Sequence, residues 1–131
     1  VKKVLLDTSA FVSYLRGDGR VLDWLAKAEC VYMSVFVLGE LYAGFKAGTK
    51  EKENRQIIER FLMKTTVSVL EASRETAEVF ALIKNSLKKQ GSPLPINDIW
   101  IAAHALETGS VLLTYDRHFT IISGLRLWDE I

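Results

Sequence analysis

Short continuous apolar runs alternate along the chain with longer stretches in which apolar residues recur three and four positions apart. The first pattern belongs to strands buried on both faces of a parallel sheet, the second to helices with one buried side. "VKKVLLD" (1–7) is the first such run and ends in an acid. "TSAFVSYL" follows as a turn or two of helix, and "GDG" breaks it. Residues 20–28 read as helix and "CVYMS" (30–34) as the second strand. Ser34 is suited to cap a helix over about 35–46. A further helix over about 50–63 has Ile57, Ile58, Phe61 and Leu62 as its apolar face. "TTVSVL" (65–70) alternates and is β-branched, which predicts the third strand.

"SRETAEVFALIKNSLKKQG" predicts a longer helix, with Ser73 at its N-cap, Thr76 at the capping-box position and Gly91 as its stop. Ala77, Phe80, Ile83 and Leu87 form its expected buried stripe. "PLPI" leads into "PINDIWIAAHAL" (95–106), a helix apolar on nearly every side yet opening with an acid, Asp98. The strand "SVLLTYD" (110–116) and a last short strand at "LRLW" (125–128) complete the chain. Strands alternating with helices throughout imply an α/β sandwich around a mostly parallel sheet.

One topological consequence bears on chemistry. Two helices separate the third and fourth strands, whereas a parallel crossover needs an odd number of passes across the sheet. The first helix, of about 16 residues, descends roughly 24 Å. The segment 90–96, with its two prolines, must climb back extended, at about 3.3 Å per residue and so roughly 23 Å. The second helix therefore starts at the carboxyl edge of the sheet, and Asp98 is at that edge.

The 131 residues suit one domain, 1–131, with a single sizeable core, and a composition 49% hydrophobic and 25% charged is that of a globular protein. No apolar run approaches the roughly 18–20 residues that span a bilayer, so no membrane partner is expected. "VKKVLLDTS" does not read as a signal peptide, because an acid interrupts its apolar run. The single cysteine, Cys30, leaves no internal disulfide and fits a reducing compartment, so the expected location is cytoplasmic. Net charge is +1, from 17 basic against 16 acidic residues, which argues neither for nor against nucleic acid. Lys46, Lys50, Lys52, Arg55, Arg60 and Lys64 load one central stretch, and Lys84, Lys88 and Lys89 end another helix. A solvated helix face accounts for both on composition alone.

Acids are more telling. Asp7 closes the first strand, at the carboxyl edge where open α/β sheets place their ligands. Asp116 lies two residues past Thr114 at the end of the fourth strand, on the same edge. Glu40 is the only charged residue between Val31 and Phe45, a turn and a half into a helix that begins there too. Each has a plainer explanation: Asp7 as a cap, Asp98 as a helix N-terminal charge, Asp116 as a turn residue, Glu40 as an exposed or arginine-paired side chain. Jointly, four carboxylates on one edge repel and raise one another's pKa values. No lysine or arginine occurs in the apolar segments carrying Asp7, Glu40 or Asp98. A divalent cation resolves the repulsion, and oxygen ligands suit Mg2+ or Mn2+. Cys and His ligand patterns for zinc are absent. Metal-assisted phosphodiester hydrolysis is the natural chemistry of such a cluster.

These segments resemble the PIN-domain ribonucleases, specifically the VapC-like toxins of type II toxin–antitoxin systems. "LLDTSAFVSYL" resembles the family's opening strand and turn, "SVFVLGELYAG" its Glu-bearing helix, "INDIWIAAHALETG" its third acidic element and "LLTYDRHF" its Thr-x-Asp element. The matches run in order from residue 4 to 119. The resemblance implies a PIN-like three-layer sandwich, its sheet of about five mostly parallel strands flanked by helices, and Mg2+- or Mn2+-dependent endonucleolytic cleavage of RNA. Asp7 and Asp98 would be the principal metal ligands. Glu40 and Asp116 would complete the site or orient water, with Thr114 and Ser9 as supporting hydroxyls. It also implies a homodimer and a cognate antitoxin, for which Phe36, Tyr42, Phe45 and Phe61 offer either an apolar groove or plain core packing.

His118 reads as a general acid or as a structural or surface residue, and His104 as a hydrogen-bonded core histidine. Arg16, Lys46, Lys50 and Arg117 flank the acidic edge in this arrangement and are candidates for phosphate contacts. Two other functions stay open beside the toxin: an RNA-processing nuclease of the same family without an antitoxin, and a non-catalytic acidic binding module. A phosphotransfer domain of receiver or phosphatase type would need an adjacent acid pair or Asp-x-Asp near the first strand and a lysine after a late one. "LLDTSAF" and "LRLWDEI" provide neither.

Overall fold

The structure, a computed structural model, describes residues 3–130; Val1 and Lys2 of the expected first strand lie outside the described residues. Five strands, β1 (Lys3–Leu6), β2 (Cys30–Ser34), β3 (Val67–Leu70), β4 (Val111–Leu113) and β5 (Arg126–Leu127), form one sheet in the order β3-β2-β1-β4-β5. Every pairing is parallel. Pattern explains position. Val4–Leu6 and Val111–Leu113 are wholly apolar and wholly buried, so β1 and β4 sit inside the sheet. β3 buries Val67 but exposes Ser68 and Val69, as an edge strand can.

The flanking helices are α1 (Thr8–Leu15), α2 (Gly19–Lys27), α3 (Val35–Ala47), α4 (Glu51–Leu62), α5 (Arg74–Gln90) and α6 (Ile96–Thr108). Ser34 caps α3 by accepting the Phe36 N–H at 3.1 Å. α5 ends at Gly91, whose φ of 69° is the left-handed conformation that a Schellman-type stop requires. Its buried stripe differs from expectation by one residue. Ala77 is exposed and Thr76 is fully buried, beside Ile83 and Leu87, with Phe80 half-buried. Thr76 turns inward because its hydroxyl accepts the Ser73 N–H at 3.1 Å and donates to Glu107 at 2.7 Å. Ser73 and Thr76 thus complete the capping box between them, each side chain accepting the other's backbone N–H.

Phe45 and Phe61 belong to the core, Phe61 meeting Phe11 edge-on at 5.2 Å. They therefore provide no surface groove. Phe36 and Tyr42 are only half-buried; Phe36 stacks on Trp100, and the Arg55 guanidinium lies over Tyr42. The chain's last turn closes over the fourth strand. The Trp128 indole N–H donates to the Thr114 carbonyl at 2.7 Å, and Arg20 lies 3.8 Å above the Trp128 ring while pairing with Asp129. Among the described residues, no helix is long and apolar enough to cross a membrane.

Candidate active site

Asp7 stands where β1 becomes α1. Its backbone N–H donates to the Leu113 carbonyl at 3.1 Å, which aligns the carboxyl ends of β1 and β4. Its side chain caps α1: Oδ1 accepts the Ala10 N–H at 2.8 Å and the Ser9 hydroxyl at 2.7 Å. Oδ2 accepts the hydroxyl of Thr114. Capping is therefore real but does not exhaust the group. A carboxylate offers about four acceptor positions, and the three filled here leave one lone pair of Oδ2 for a further ligand. At 4% exposure, burial pushes the Asp7 carboxyl above the ordinary range, opposed by these hydrogen bonds and aided by the charge of Asp116.

Asp98 is the third residue of α6, whose N-cap is Pro95, and the helix start has no side-chain cap. The carboxylate instead faces His118, Oδ2 to Nε2 at 2.7 Å. This contact puts the start of α6 beside the end of β4, as the crossover requires. Burial raises the Asp98 pKa first, with the charges of Asp116 and Glu40 adding to it and His118 opposing. Glu40 is half-buried on α3 and receives the Thr8 hydroxyl on Oε1 at 2.6 Å. Among the described residues, no lysine or arginine pairs with it.

Asp116 begins a short 3-10 helix (Arg117–Ile121). Its backbone N–H donates to the Thr114 hydroxyl at 2.9 Å, and its Oδ1 lies 2.8 Å from Nδ1 of His118. His118 thus stands between two carboxylates from different elements. Asp98, Asp116 and His118 each offer one ligand atom within 4.8 Å of the others. Asp7 and Glu40 are outside that trio but close enough for Asp116 to act on Asp7, and Glu40 on Asp98, through charge. Sequence left the place of His118 open; the 3-10 turn after Asp116 brings its ring between the two acids.

The donor set suits a hard divalent cation. Among the described residues, neither lysine nor arginine lies within 4.0 Å of Asp7, Glu40, Asp98 or Asp116, while Arg20, Lys46 and Arg55 are paired elsewhere. The oxygens are fixed by hydroxyls and backbone rather than by cationic side chains, and one imidazole joins them. Cys30 opens β2, at the opposite edge of the sheet.

The basic residues are distributed otherwise than expected. α1 and α3 start at the acidic edge and run away from it, so Arg16 follows the far end of α1. Lys46 lies six residues past Glu40, about 9 Å along the helix, and pairs with Glu51 at 3.3 Å. Lys50 begins α4 beyond that end. Of the four candidates, Arg117 alone adjoins the acids in sequence and fold, in an open cleft of about 500 Å³ lined also by Thr114, Tyr115, Asp116 and Trp128.

The family model described as PIN domain matches residues 4–125. "Ribonuclease VapC2" from Haemophilus influenzae is 33% identical over 129 residues, 95% of each chain. Solved structures that share the fold include two VapBC assemblies. VapBC-1 from nontypeable Haemophilus influenzae superimposes with a TM-score of 0.81 at 26% identity, covering 95% of this chain and 96% of the other. The DNA-bound VapBC from Salmonella typhimurium gives 0.84 at 25% identity, covering 97% of each.

Proposed function

The chain belongs to the PIN-domain family, and from that premise we propose that it is a Mg2+- or Mn2+-dependent endoribonuclease, the toxin of a toxin–antitoxin pair. One observation carries the reading: carboxylates from four separate segments share one edge with no lysine or arginine to neutralise them among the described residues. Relatives named as VapC ribonucleases, and similar chains solved as VapBC assemblies, support it. RNA is then the substrate, and a cognate antitoxin and a second copy of the chain are the protein partners.

In this scheme Asp7 and Asp98 are the principal ligands, with Glu40 and Asp116 completing the site or orienting the attacking water. When bound, Mg2+ or Mn2+ would supply Lewis-acid chemistry, acidifying water and neutralising charge on the phosphate. The chain's own groups prepare that chemistry. Thr114 and Ser9 hold the Asp7 carboxylate in a single orientation, which removes the reorganisation that a mobile side chain would need. The Thr8 hydroxyl fixes Oε1 of Glu40 and leaves Oε2 for water. Arg117 is placed to meet a flanking phosphate, a contact that positions RNA without reading its sequence.

The test is RNA cleavage by purified Asp7→Asn and Asp98→Asn variants, with circular dichroism to check folding. Cleavage should fall by about 100-fold or more, in line with removal of groups that act on charge in the transition state, while the fold persists. Variants that cut as well as the parent would refute the assignment. Sequencing the 5′ ends of the fragments identifies the RNA.

A further inference from the structure

We propose that His118 is itself a ligand of the cation, its Nε2 sharing the ion with Asp98, so that this cleft prefers Mn2+ and Co2+ to Mg2+. The inference rests on the function proposed above, in which the acids hold a divalent ion.

The imidazole has a carboxylate on each side: Nε2 is hydrogen-bonded to Asp98 Oδ2 at 2.7 Å, and Nδ1 lies 2.8 Å from Asp116 Oδ1 as a charge-pair contact. A carboxylate on one ring nitrogen and a metal on the other is the usual setting of a metal-binding histidine. The Asp116 carboxylate beside Nδ1 favours the tautomer that carries its proton there, which leaves the Nε2 lone pair facing Asp98 and the space beside it. Ligand atoms on neighbouring corners of an octahedron with bonds of ~2.1 Å stand about 3.0 Å apart. The 2.7 Å separation between Nε2 and Oδ2 therefore needs to open by only a few tenths of an ångström to admit an ion. The ring is also anchored from below. Its neighbour Phe119 is buried, and the backbone of Asp116 is tied to Thr114. The His118 side chain is 33% exposed, so one face remains open to solvent and to an arriving ion.

Imidazole is a softer donor than carboxylate. Mg2+ favours all-oxygen sites and parts reluctantly with water, whereas affinity for a nitrogen-containing site rises from Mn2+ to Co2+ and Ni2+. Sequence patterns gave an all-oxygen site with no such preference; the fold adds the nitrogen.

The chain has two histidines, which makes the test direct. His104 is buried and committed, Nδ1 to the Ser34 hydroxyl at 2.9 Å and Nε2 to the Glu71 carbonyl at 3.3 Å. Tag-free protein labelled with nitrogen-15 histidine is loaded with Mn2+ for pulsed electron paramagnetic resonance, and Mn2+, Co2+ and Mg2+ affinities are measured by calorimetry for the parent and His118→Asn. The expected result is a histidine nitrogen coupling in the parent that disappears in the variant. Mn2+ and Co2+ affinity should fall by about tenfold or more while Mg2+ affinity changes little. Tight Mn2+ binding without nitrogen coupling overturns the proposal, as does coupling that survives in His118→Asn or a variant that binds Mn2+ as well or better. In those cases the acids still hold an ion and the ring is merely displaced by it. Failure of the parent to bind any of the three ions overturns both this inference and the function beneath it.

Discussion

Thr114, at the end of β4, donates its hydroxyl hydrogen to Oδ2 of Asp7, at the end of β1, and accepts the backbone N–H of Asp116. One buried oxygen thus sets the positions of two acids that follow neighbouring strands. Thr114→Val keeps the side-chain shape and deletes both bonds, leaving a buried carboxylate oxygen and an N–H short of a partner. The expected cost is about 1–3 kcal/mol, read as a lower urea midpoint with an unchanged slope. Thr114→Ser should recover most of it.

Asp7 and Asp98 favour the metal-free fold in acid. Folding raises the pKa of Asp7 and of Asp98, through burial above all. The native state then holds more protons than the unfolded chain. Their favourable contribution is complete below the unfolded value of about 3.9 and is lost as pH rises through the higher folded values. With a chelator present, unfolding curves from pH 4 upward should show this loss, and Asp98→Asn should flatten it. Adding Mn2+ should restore stability at neutral pH in the parent but not in the variant.

His104 works with the opposite sign. Burial holds its pKa below the usual value, against the opposing pull of the Glu71 carbonyl and the Glu107 charge. A neutral ring fits its contacts, with Nε2–H donating to Glu71 and Nδ1 accepting from Ser34, whose oxygen in turn accepts the Phe36 N–H. Its contribution is present above the unfolded value of about 6.5 and declines as pH falls toward and through the folded one. Proton titration followed by NMR should give His104 a pKa below that value. Ser34→Ala removes a helix cap and the histidine's partner together and should cost about 1–2 kcal/mol.

Thr76 offers a check away from the site. Thr76→Ala deletes the side-chain half of the capping box, the bond from the Ser73 N–H, together with the bond to Glu107 on α6, and leaves the residue-76 N–H on the Ser73 hydroxyl. A loss of about 1–2 kcal/mol in chemical denaturation, with divalent-ion affinity unchanged, is expected.

Much of this was legible in the sequence because the signals were local. The all-apolar runs Val4–Leu6 and Val111–Leu113 could only be interior strands, and the length of α5 with two prolines after it forced Asp98 to the edge occupied by Asp7. What the sequence hid was decided by contacts between distant segments. Thr76 displaced Ala77 from the buried stripe because Glu107, 31 residues away, accepts its hydroxyl. Phe45 and Phe61 were absorbed by a core whose depth periodicity does not measure. Lys46 was misplaced because helix direction, rather than proximity to Glu40 in the chain, decides which edge it meets. The bridge made by His118 depends on the 3-10 turn after β4, a geometry that no spacing rule specifies.

The central claim is that these acids gather around a divalent ion. Anomalous scattering from a crystal soaked in Mn2+ tests it most directly. The account expects a strong peak within bonding distance of oxygens from both Asp7 and Asp98, absent after soaking in chelator. A saturated crystal with no peak in this cleft, or with manganese bound only elsewhere, would contradict it.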